Sequence, residues 1–287
     1  MGLMSGTSGD GVDASLIKST GSLNENNSYE VILDKYFEYD QVIFNKIYVL
    51  RNKINTIKDL KIHSNEIEEV ERLITIFHAK VADTFSKKYK IDLIGFHGHT
   101  IFHNPNKKIT KQIGNAKLLS QLTKKNIIFD FRSNDIKNGG QGAPLAPLFH
   151  LALSKKNKII PPWLILNIGG ISNITFCGKN PNDYRAMDIG PGNCLIDNWI
   201  RINTSFKFDD NGIIASRGTI NKQILQDNLE SEQFKPINSS YDINDFDLGF
   251  VRGLSIEDGA ATLTEYTSEL ISWKINSFLK KKFESVK

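Results

Sequence analysis

Strand-like and helix-like segments alternate along the 287 residues, and this alternation is the feature that most constrains the fold. Runs of β-branched and aromatic residues between turn-forming residues predict strands at 29–37, 91–98, 126–131, 163–170 and 172–177. Apolar residues spaced by three and four predict helices over 66–90, over 144–156 and from Ser255 towards the end of the sequence. Strands that alternate with helices are typical of an α/β fold with parallel or mixed sheets.

Details of the helical segments support this interpretation. Pro144 suits the first turn of the second helix, because an N–H group at that position would be unpaired in any case. Ser255 and Asp258 have the spacing of a capping box at the start of the third helix. The first helix has the clearest pattern, a continuous apolar stripe made by Ile67, Val70, Ile74, Phe77, Val81 and Phe85.

Composition excludes several classes of protein. No apolar run approaches the roughly 20 residues that a membrane helix needs, and the first residues lack the layout of a signal peptide. We therefore expect a cytoplasmic protein with no membrane partner. The net charge of +4 is spread over many lysines and requires no nucleic-acid partner. Cys177 and Cys194 lack the spacing of a disulfide framework or a zinc site, which predicts ordinary buried thiols.

The first of five polar clusters is the opening stretch MSGTSGDGVDASL, residues 4–16. Its glycines allow backbone N–H groups to approach an anion, and its hydroxyl groups can add donors, which is typical of a phosphate-binding hairpin. It lacks both the GK[ST] of a P-loop and a GxGxxG fingerprint. Taken alone, the stretch favours a plain hairpin turn over a phosphate site.

The second cluster, GFHGHTIFHN, contains three histidines, at positions 97, 99 and 103, close to glycine. Alternating side chains of a strand share a face, so metal ligation is conceivable. No acid or cysteine accompanies them in the same stretch, which favours hydrogen bonds to a polar ligand. A purely structural role for the histidines remains open.

The third cluster follows the strand at 126–131 and contains Asp130, Arg132 and Asp135 before a glycine-rich loop over 139–142. Glycines in front of a helix N-terminus are suited to bind ligand oxygen atoms. The alternative is a surface ion pair followed by a flexible loop.

The fourth and fifth clusters are LNIGGISNIT and MDIGPGNCLIDNW, in each of which an apolar strand breaks into glycines. Asp188 is expected at a strand end ahead of Gly190 and Gly192, where α/β folds place catalytic carboxylates, and a helix is expected to begin near Asn193. Five such clusters at strand ends predict a ligand-binding cleft.

Six blocks, in order, resemble the anhydro-N-acetylmuramic acid kinase family of the acetate and sugar kinase/Hsp70/actin superfamily. They are MSGTSGDGVDASL, GFHGHTIFH, DFRSNDIKNGGQGAPLAPLFH, LNIGGISNIT, DIGPGNCLIDNW and RGLSIEDGAATLTEYT. The resemblance implies a two-lobed α/β, ribonuclease H-like fold. An N-terminal lobe over 1–157 would hold the phosphate hairpin and the sugar-binding segments. A C-terminal lobe over 158–287 would hold a second phosphate segment and the catalytic Asp.

The resemblance also implies an activity. Family members open the 1,6-anhydro ring of anhydro-N-acetylmuramic acid with water and phosphorylate the freed hydroxyl group from ATP, in peptidoglycan recycling. Asp188 would be the general base, and Asp10 and Asp13 would hold Mg²⁺. The residues implied to bind ATP are Gly6, Thr7, Ser8, Gly9, Asp10, Gly11, Val12, Asp13, Gly169, Gly170 and Asn173. The residues implied to bind the sugar are His97, His99, Arg132, Gly140 and Gln141.

The chain departs from the family pattern at several positions. His99 stands where relatives carry Gln, Gly9 enters the hairpin, and Ser239 and Ile243 stand where relatives usually carry basic residues. Relatives also continue beyond the last matching block, so the second lobe is expected to be incomplete. The first strand of the chain, ahead of the MSGTS loop, is expected to be cut short. These departures leave two alternatives, a shortened sugar-binding remnant with impaired catalysis and a kinase of a related amino sugar. The family resemblance further implies a homodimer.

Overall fold

The chain divides into two units, Met1–Ile160 and Pro161–Lys287. The computed structural model describes residues 1–22, 29–180, 183–233, 241 and 243–284. The strands of the first unit are β1 (Gly2–Ser5), β2 (Gly11–Ser19), β3 (Tyr29–Glu38), β4 (Leu93–Asn104), β5 (Ile109–Ile113) and β6 (Asn126–Phe129). Its helices are α1 (Gln41–Lys53), α2 (Ile57–Ile62), α3 (Ser64–Ser86), α4 (Ala116–Thr123), α5 (Ser133–Lys137) and α6 (Pro147–Lys156). The second unit contains β7 (Trp163–Ile168), β8 (Ile171–Cys177), β9 (Tyr184–Pro191), α7 (Cys194–Asn203), α8 (Lys222–Gln233) and α9 (Ile256–Glu284).

The sheet of the first unit is mixed, with the order β3-β2-β1-β4-β5, and β6 pairs with the first half of β4. Strand β1 lies in the middle, antiparallel to β2 and parallel to β4. Strand β1 is only four residues long, and it pairs with a neighbour on both sides. The turn that follows it lies at the carboxyl end of a central strand, the usual position of ligand sites in α/β sheets.

Helices α1, α3 and α4 contribute the apolar residues that pack on one face of this sheet. The predicted stripe of α3 is confirmed, since Ile67, Val70, Ile74, Val81 and Phe85 are buried and Phe77 is partly buried. Helix α1 begins after Asp40, whose carboxylate accepts a hydrogen bond of 2.9 Å from the Ile43 N–H. This cap satisfies a donor that the first helical turn leaves unpaired.

The sheet of the second unit has the order β7-β8-β9 and is antiparallel throughout, so the expectation of parallel or mixed sheets holds only for the first unit. The two-residue turn Gly169–Gly170 joins β7 and β8, and so short a turn can connect only antiparallel neighbours. Its core forms where α9 packs on the sheet, with Ile174, Ile189 and Ile271 in contact. The mixed sheet, this second sheet and their helices agree with the predicted sugar kinase/actin-like α/β fold.

Two predicted helix starts differ in outcome. Helix α6 begins at Pro147 rather than at Pro144, and Pro147 occupies the first-turn position. At α9, the Ser255 hydroxyl accepts the Asp258 N–H at 3.0 Å, as the predicted capping box requires, and the Asp258 carboxylate also accepts from the Thr219 N–H. No helix within the described ranges has both the length and the apolar character to cross a membrane.

Candidate active site

The turn between β1 and β2 spans residues 6–10 and is closed by short hydrogen bonds. The Gly9 N–H donates to the Gly6 carbonyl at 3.0 Å, and the Ser8 hydroxyl donates to Asp10 Oδ1 at 2.6 Å. Gly9 has a φ of +69°, which an L side chain rarely adopts. Val12 is fully buried in the sheet beyond the turn. The turn is thus compact and presents its own backbone rather than bulky side chains.

Neighbouring elements hold this turn in place. The Tyr39 N–H donates to the Asp10 carbonyl at 2.8 Å, and Arg51 Nη1 of α1 donates to the Thr7 carbonyl. Below the turn, Ser5 Oγ lies 3.1 Å from His99 Nδ1 of β4, and both residues are buried. Sequence reasoning missed Arg51 and Tyr39, because neither belongs to a glycine-rich motif.

The two carboxylates predicted to hold a metal influence each other. Burial raises the pKa of Asp13, and the nearby Asp10 carboxylate adds to the rise. Burial also raises the pKa of Tyr36, and Asp10 contributes through its charge and a hydrogen bond. Neighbouring carboxylates and a hydroxyl group are the oxygen ligands that Mg²⁺ prefers, and Mg²⁺ usually keeps several waters and substrate phosphates. Asp10 and Asp13 therefore fit a Mg²⁺ ion carried by a nucleotide. The described residues contain no group of three or more potential metal ligands.

His97 and Arg132 form a partly buried pair at the predicted sugar site. Arg132 Nε donates to His97 Nε2 at 3.0 Å, so His97 Nδ1 carries the proton and donates to the Gly98 carbonyl at 3.0 Å. Burial, with a smaller contribution from the Arg132 charge, lowers the pKa of His97 to about 4. His97 is consequently neutral near pH 7, and Arg132 supplies the positive charge.

The glycine-rich loop over 139–142 is tied to the same pair. Arg132 Nη1 donates to the Gly142 carbonyl at 2.7 Å, and the Gly142 N–H donates to Asp135 Oδ2 at 2.7 Å. A Cβ atom on Gly140 would lie 2.1 Å from Asp135 Oδ2, so only glycine fits there. The Gln141 side chain is exposed beside this pair. The loop is therefore folded around Asp135, in contrast to the flexible loop that the alternative interpretation expects.

The remaining two histidines of the second polar cluster are placed differently from His97. His99 is 0% exposed and faces the turn over 6–10 through Ser5. His103 Nδ1 lies 3.1 Å from Thr110 Oγ1, and burial lowers the pKa of His103 to about 4. The three histidines do not share one ligand position, and the metal interpretation finds no support in the described part of the chain.

In the second unit, the turn at Gly169 and Gly170 packs against the start of α7. The Gly192 N–H donates to the Gly170 carbonyl at 2.9 Å, and the Asn193 N–H donates to the Gly169 carbonyl at 2.8 Å. A Cβ atom on Gly192 would lie 2.1 Å from the Gly169 oxygen. The fourth and fifth clusters of the sequence thus form one structural unit, and α7 begins after Asn193 as predicted.

Asp188 lies next to this unit but within β9, rather than at a strand end as the sequence suggested. Strand β9 continues to Pro191 because Gly190 and Pro191 still pair with β8. Asp188 is 6% exposed and stands opposite Asn173 in the sheet. Its Oδ2 accepts a hydrogen bond of 3.1 Å from the Tyr241 N–H. Ile243, one of the two departures from the family pattern, begins a short 3₁₀ turn nearby in sequence, and Ser239 lies outside the described residues.

Comparison with known proteins agrees with the motifs. The model of a family described as anhydro-N-acetylmuramic acid kinase matches residues 1–283. A protein of that name from Pelagibacter ubique (strain HTCC1062) is 52% identical over 278 residues, which cover 94% of this chain and 72% of that protein. Proteins of the same name from Zymomonas mobilis and Agrobacterium fabrum are 37% and 36% identical, over 77% and 74% of their lengths. The chain belongs to the anhydro-N-acetylmuramic acid kinase family.

Proposed function

We propose that the protein opens the 1,6-anhydro ring of anhydro-N-acetylmuramic acid with water and phosphorylates it from ATP to N-acetylmuramic acid 6-phosphate. The observation that carries the proposal is Asp188. This carboxylate is almost fully buried, is fixed by the Tyr241 N–H, and stands in the motif that the family match covers. The named relatives favour this kinase over an impaired remnant or a kinase of a related amino sugar.

Asp188 acts as the general base in this proposal. It takes a proton from a water molecule whose oxygen attacks the anomeric carbon, and the bond from that carbon to the bridging oxygen breaks. The bridging oxygen keeps the electron pair of that bond and forms a new bond to the γ-phosphorus of ATP. The bond from the γ-phosphorus to the oxygen that joins it to the β-phosphate breaks, and ADP leaves with that electron pair. A positioned base contributes about 10² to 10⁴ in rate to such a step.

The turn over 6–10 would bind the ATP phosphates, with the Gly169–Gly170 turn and Asn173 as a second phosphate segment. Phosphoryl transfer depends chiefly on positioning and on neutralising charge, which backbone N–H groups in a fixed turn can provide. Mg²⁺, when bound at Asp10 and Asp13, would neutralise phosphate charge. The structural support is a set of three contacts that fix the turn. Arg51 donates to the Thr7 carbonyl, the Tyr39 N–H donates to the Asp10 carbonyl, and His99 contacts Ser5 just before the turn.

Arg132 would bind the lactyl carboxylate of the sugar, since its charge is held beside a neutral His97. A guanidinium group suits a carboxylate because both are planar and can form two parallel hydrogen bonds. Gly140 and Gln141 would contact the sugar through the loop that Asp135 organises. A cytoplasmic location, a homodimer and the lack of nucleic-acid and membrane partners remain predictions.

ADP release in a coupled assay tests the proposal directly. We expect turnover that requires anhydro-N-acetylmuramic acid, and we expect Asp188→Asn to lower kcat by about 10² to 10⁴. This variant keeps an oxygen that can accept from the Tyr241 N–H, so its fold should survive. The matched control is Asp197→Asn, which changes a carboxylate on α7 that pairs with Arg201 at 3.6 Å. Sugar-independent ADP release, or equal rates in both variants, would contradict the proposal.

A further inference from the structure

The imidazole of His99 contacts the turn over 6–10 from below in two ways. Its Nδ1 lies 3.1 Å from the hydroxyl group of Ser5, the last residue before the turn. The Gly6 backbone is also within hydrogen-bonding range of the ring, and a Cβ atom added to Gly9 would lie 3.4 Å from its Cε1. His99 is 0% exposed, and no part of it is available at the surface for a sugar.

The backbone on which His99 sits is rigid with respect to the turn. Ser5 and His99 are direct partners in the parallel pairing of β1 and β4, so the distance between them is fixed by the sheet. Ile47 of α1 borders the same space, since its Cγ2 would lie 2.9 Å from a Cβ atom on Gly9. An aliphatic side chain and an imidazole thus line the space beside Gly9, and a change of either should move the turn.

The charge state of His99 is suited to this position. Burial lowers the pKa of His99 well below its ordinary value, and the Arg51 charge lowers it further. A neutral imidazole beside the turn can share a hydrogen bond with Ser5 near neutral pH. The ring acts as an uncharged spacer with polar contacts to Ser5 and the Gly6 backbone, rather than as a cation for the phosphates.

We infer that His99 is a positioning residue for the nucleotide, which acts through Ser5 and Gly9 on the phosphate-binding turn and does not contact the sugar. This inference rests on the proposed function of the turn. It replaces the sugar-binding role that the sequence suggested for His99 with a role towards the other substrate. The reason is geometric. His99 contacts Ser5 at the end of β1, whereas Arg132, which also binds the Gly142 carbonyl of the loop over 139–142, donates to His97.

The test is the binding of a non-hydrolysable ATP analogue with Mg²⁺ by calorimetry, together with the two Michaelis constants. We expect His99→Leu to raise the Kd of the analogue and the KM for ATP by about tenfold, the effect of losing one hydrogen bond and its alignment. The KM for the sugar should stay within about twofold. Ser5→Ala should show the same pattern. His99→Gln should restore nucleotide binding, because an amide can accept from or donate to Ser5.

The matched control is His78→Leu, which replaces an equally buried histidine whose Nδ1 bonds to the Ile74 carbonyl of its own helix. It should leave the Kd of the analogue unchanged. Urea unfolding of each variant shows whether the fold is intact, and Ser5→Ala and His99→Gln test the inference even where His99→Leu does not fold. A higher KM for the sugar with unchanged analogue binding would overturn the inference. Unchanged binding of the analogue in all variants would also overturn the inference, but it would leave the proposed function intact. A wild-type protein that binds no analogue would refute both the inference and the proposed function.

Discussion

The buried imidazoles of the first unit are held neutral by their surroundings. Burial lowers the pKa of His78 to about 4, and the same cause dominates at His97 and His103. Each ring has one nitrogen committed to a short hydrogen bond, to Ile74 in the case of His78. Protonation would place a positive charge in a site that solvates it poorly. These residues therefore favour the folded state only while they remain neutral.

This arrangement predicts a pH-dependent stability. The unfolded chain binds a proton at each histidine near pH 6.5, but the folded chain does so only near pH 4. Between these values the unfolded state binds more protons, so the free energy of unfolding falls as the pH falls. His78 alone should account for a loss of about 2 kcal/mol between pH 6.5 and 5. Urea unfolding of His78→Leu should show a correspondingly smaller loss than the wild-type protein, and an equal loss would contradict the assignment.

Residues that act through distant contacts could not be predicted from the sequence. Asp188, Arg132 and the glycines stand in short motifs, so their chemistry can be inferred locally. Arg51 reaches Thr7 from a helix that begins far along the chain, and Tyr241 reaches Asp188 from a segment without any motif. Only the pairing of β1 with β4 shows that His99 lies under the turn. Residue type and spacing do not contain this information.

At the scale of elements, the conformation of the turn over 6–10 depends on close packing of the backbone at the residue where the turn enters β2. Gly11, the first residue of β2, lies against β3, where a Cβ atom would stand 2.5 Å from the Phe37 carbonyl oxygen and 2.5 Å from Tyr36 Oη. A carbonyl in a paired strand cannot give way without breaking the ladder of hydrogen bonds. By contrast, the nearest atom to a Cβ on Gly6 would be Ser8 Oγ, at 3.8 Å.

Two alanine substitutions should therefore differ sharply in stability. Gly11→Ala should separate β2 from β3 and lower the free energy of unfolding by about 1 to 3 kcal/mol. Gly6→Ala should change it by less than about 0.5 kcal/mol, since the added methyl group meets no clash. Urea unfolding of both variants, monitored by circular dichroism, makes the comparison. An equal effect of the two substitutions would show that the spacing of β2 and β3 does not require glycine at position 11.

Elements were predictable where the periodicity is long and unbroken. Helix α3 carries a stripe over six turns, and the strands of the second unit are apolar runs between glycines. Helix α1 was missed although Ile43, Phe44, Ile47 and Leu50 are buried, because polar residues and a β-strand immediately before it obscure its start. The predicted start of α6 was wrong because Pro144 and Pro147 both suit the first turn of a helix. Only the structure shows that Pro147 occupies that position.

At the scale of the whole molecule, the two units carry different parts of the proposed chemistry. The turn over 6–10 and the Arg132 loop belong to the first unit, and Asp188 with the Gly169–Gly170 turn belongs to the second. Each unit has its own buried core, one around α1 and α3 and another around α7 and α9. The sequence predicted two lobes from the order of family blocks. Composition and periodicity alone do not divide the chain, because both units use the same residue types.

If both phosphate segments contact the same nucleotide, binding must stabilise both units. A ligand that binds only the folded state adds about 2.7 kcal/mol at 100 times its Kd, which raises Tm by about 2–4 °C for each kcal/mol in a domain of 150–250 residues. Scanning calorimetry with the ATP analogue and Mg²⁺ should therefore move every unfolding transition upward. AMP with Mg²⁺ is the control, since it lacks the β- and γ-phosphates and should produce a smaller shift.

The Gly192→Ala variant, in which a Cβ atom would meet the Gly169 oxygen at 2.1 Å, should lose much of the shift because the second phosphate segment is distorted. A transition of the second unit that stays in place when the analogue binds would exclude Gly169, Gly170 and Asn173 from the nucleotide site and leave the turn over 6–10 as the phosphate segment.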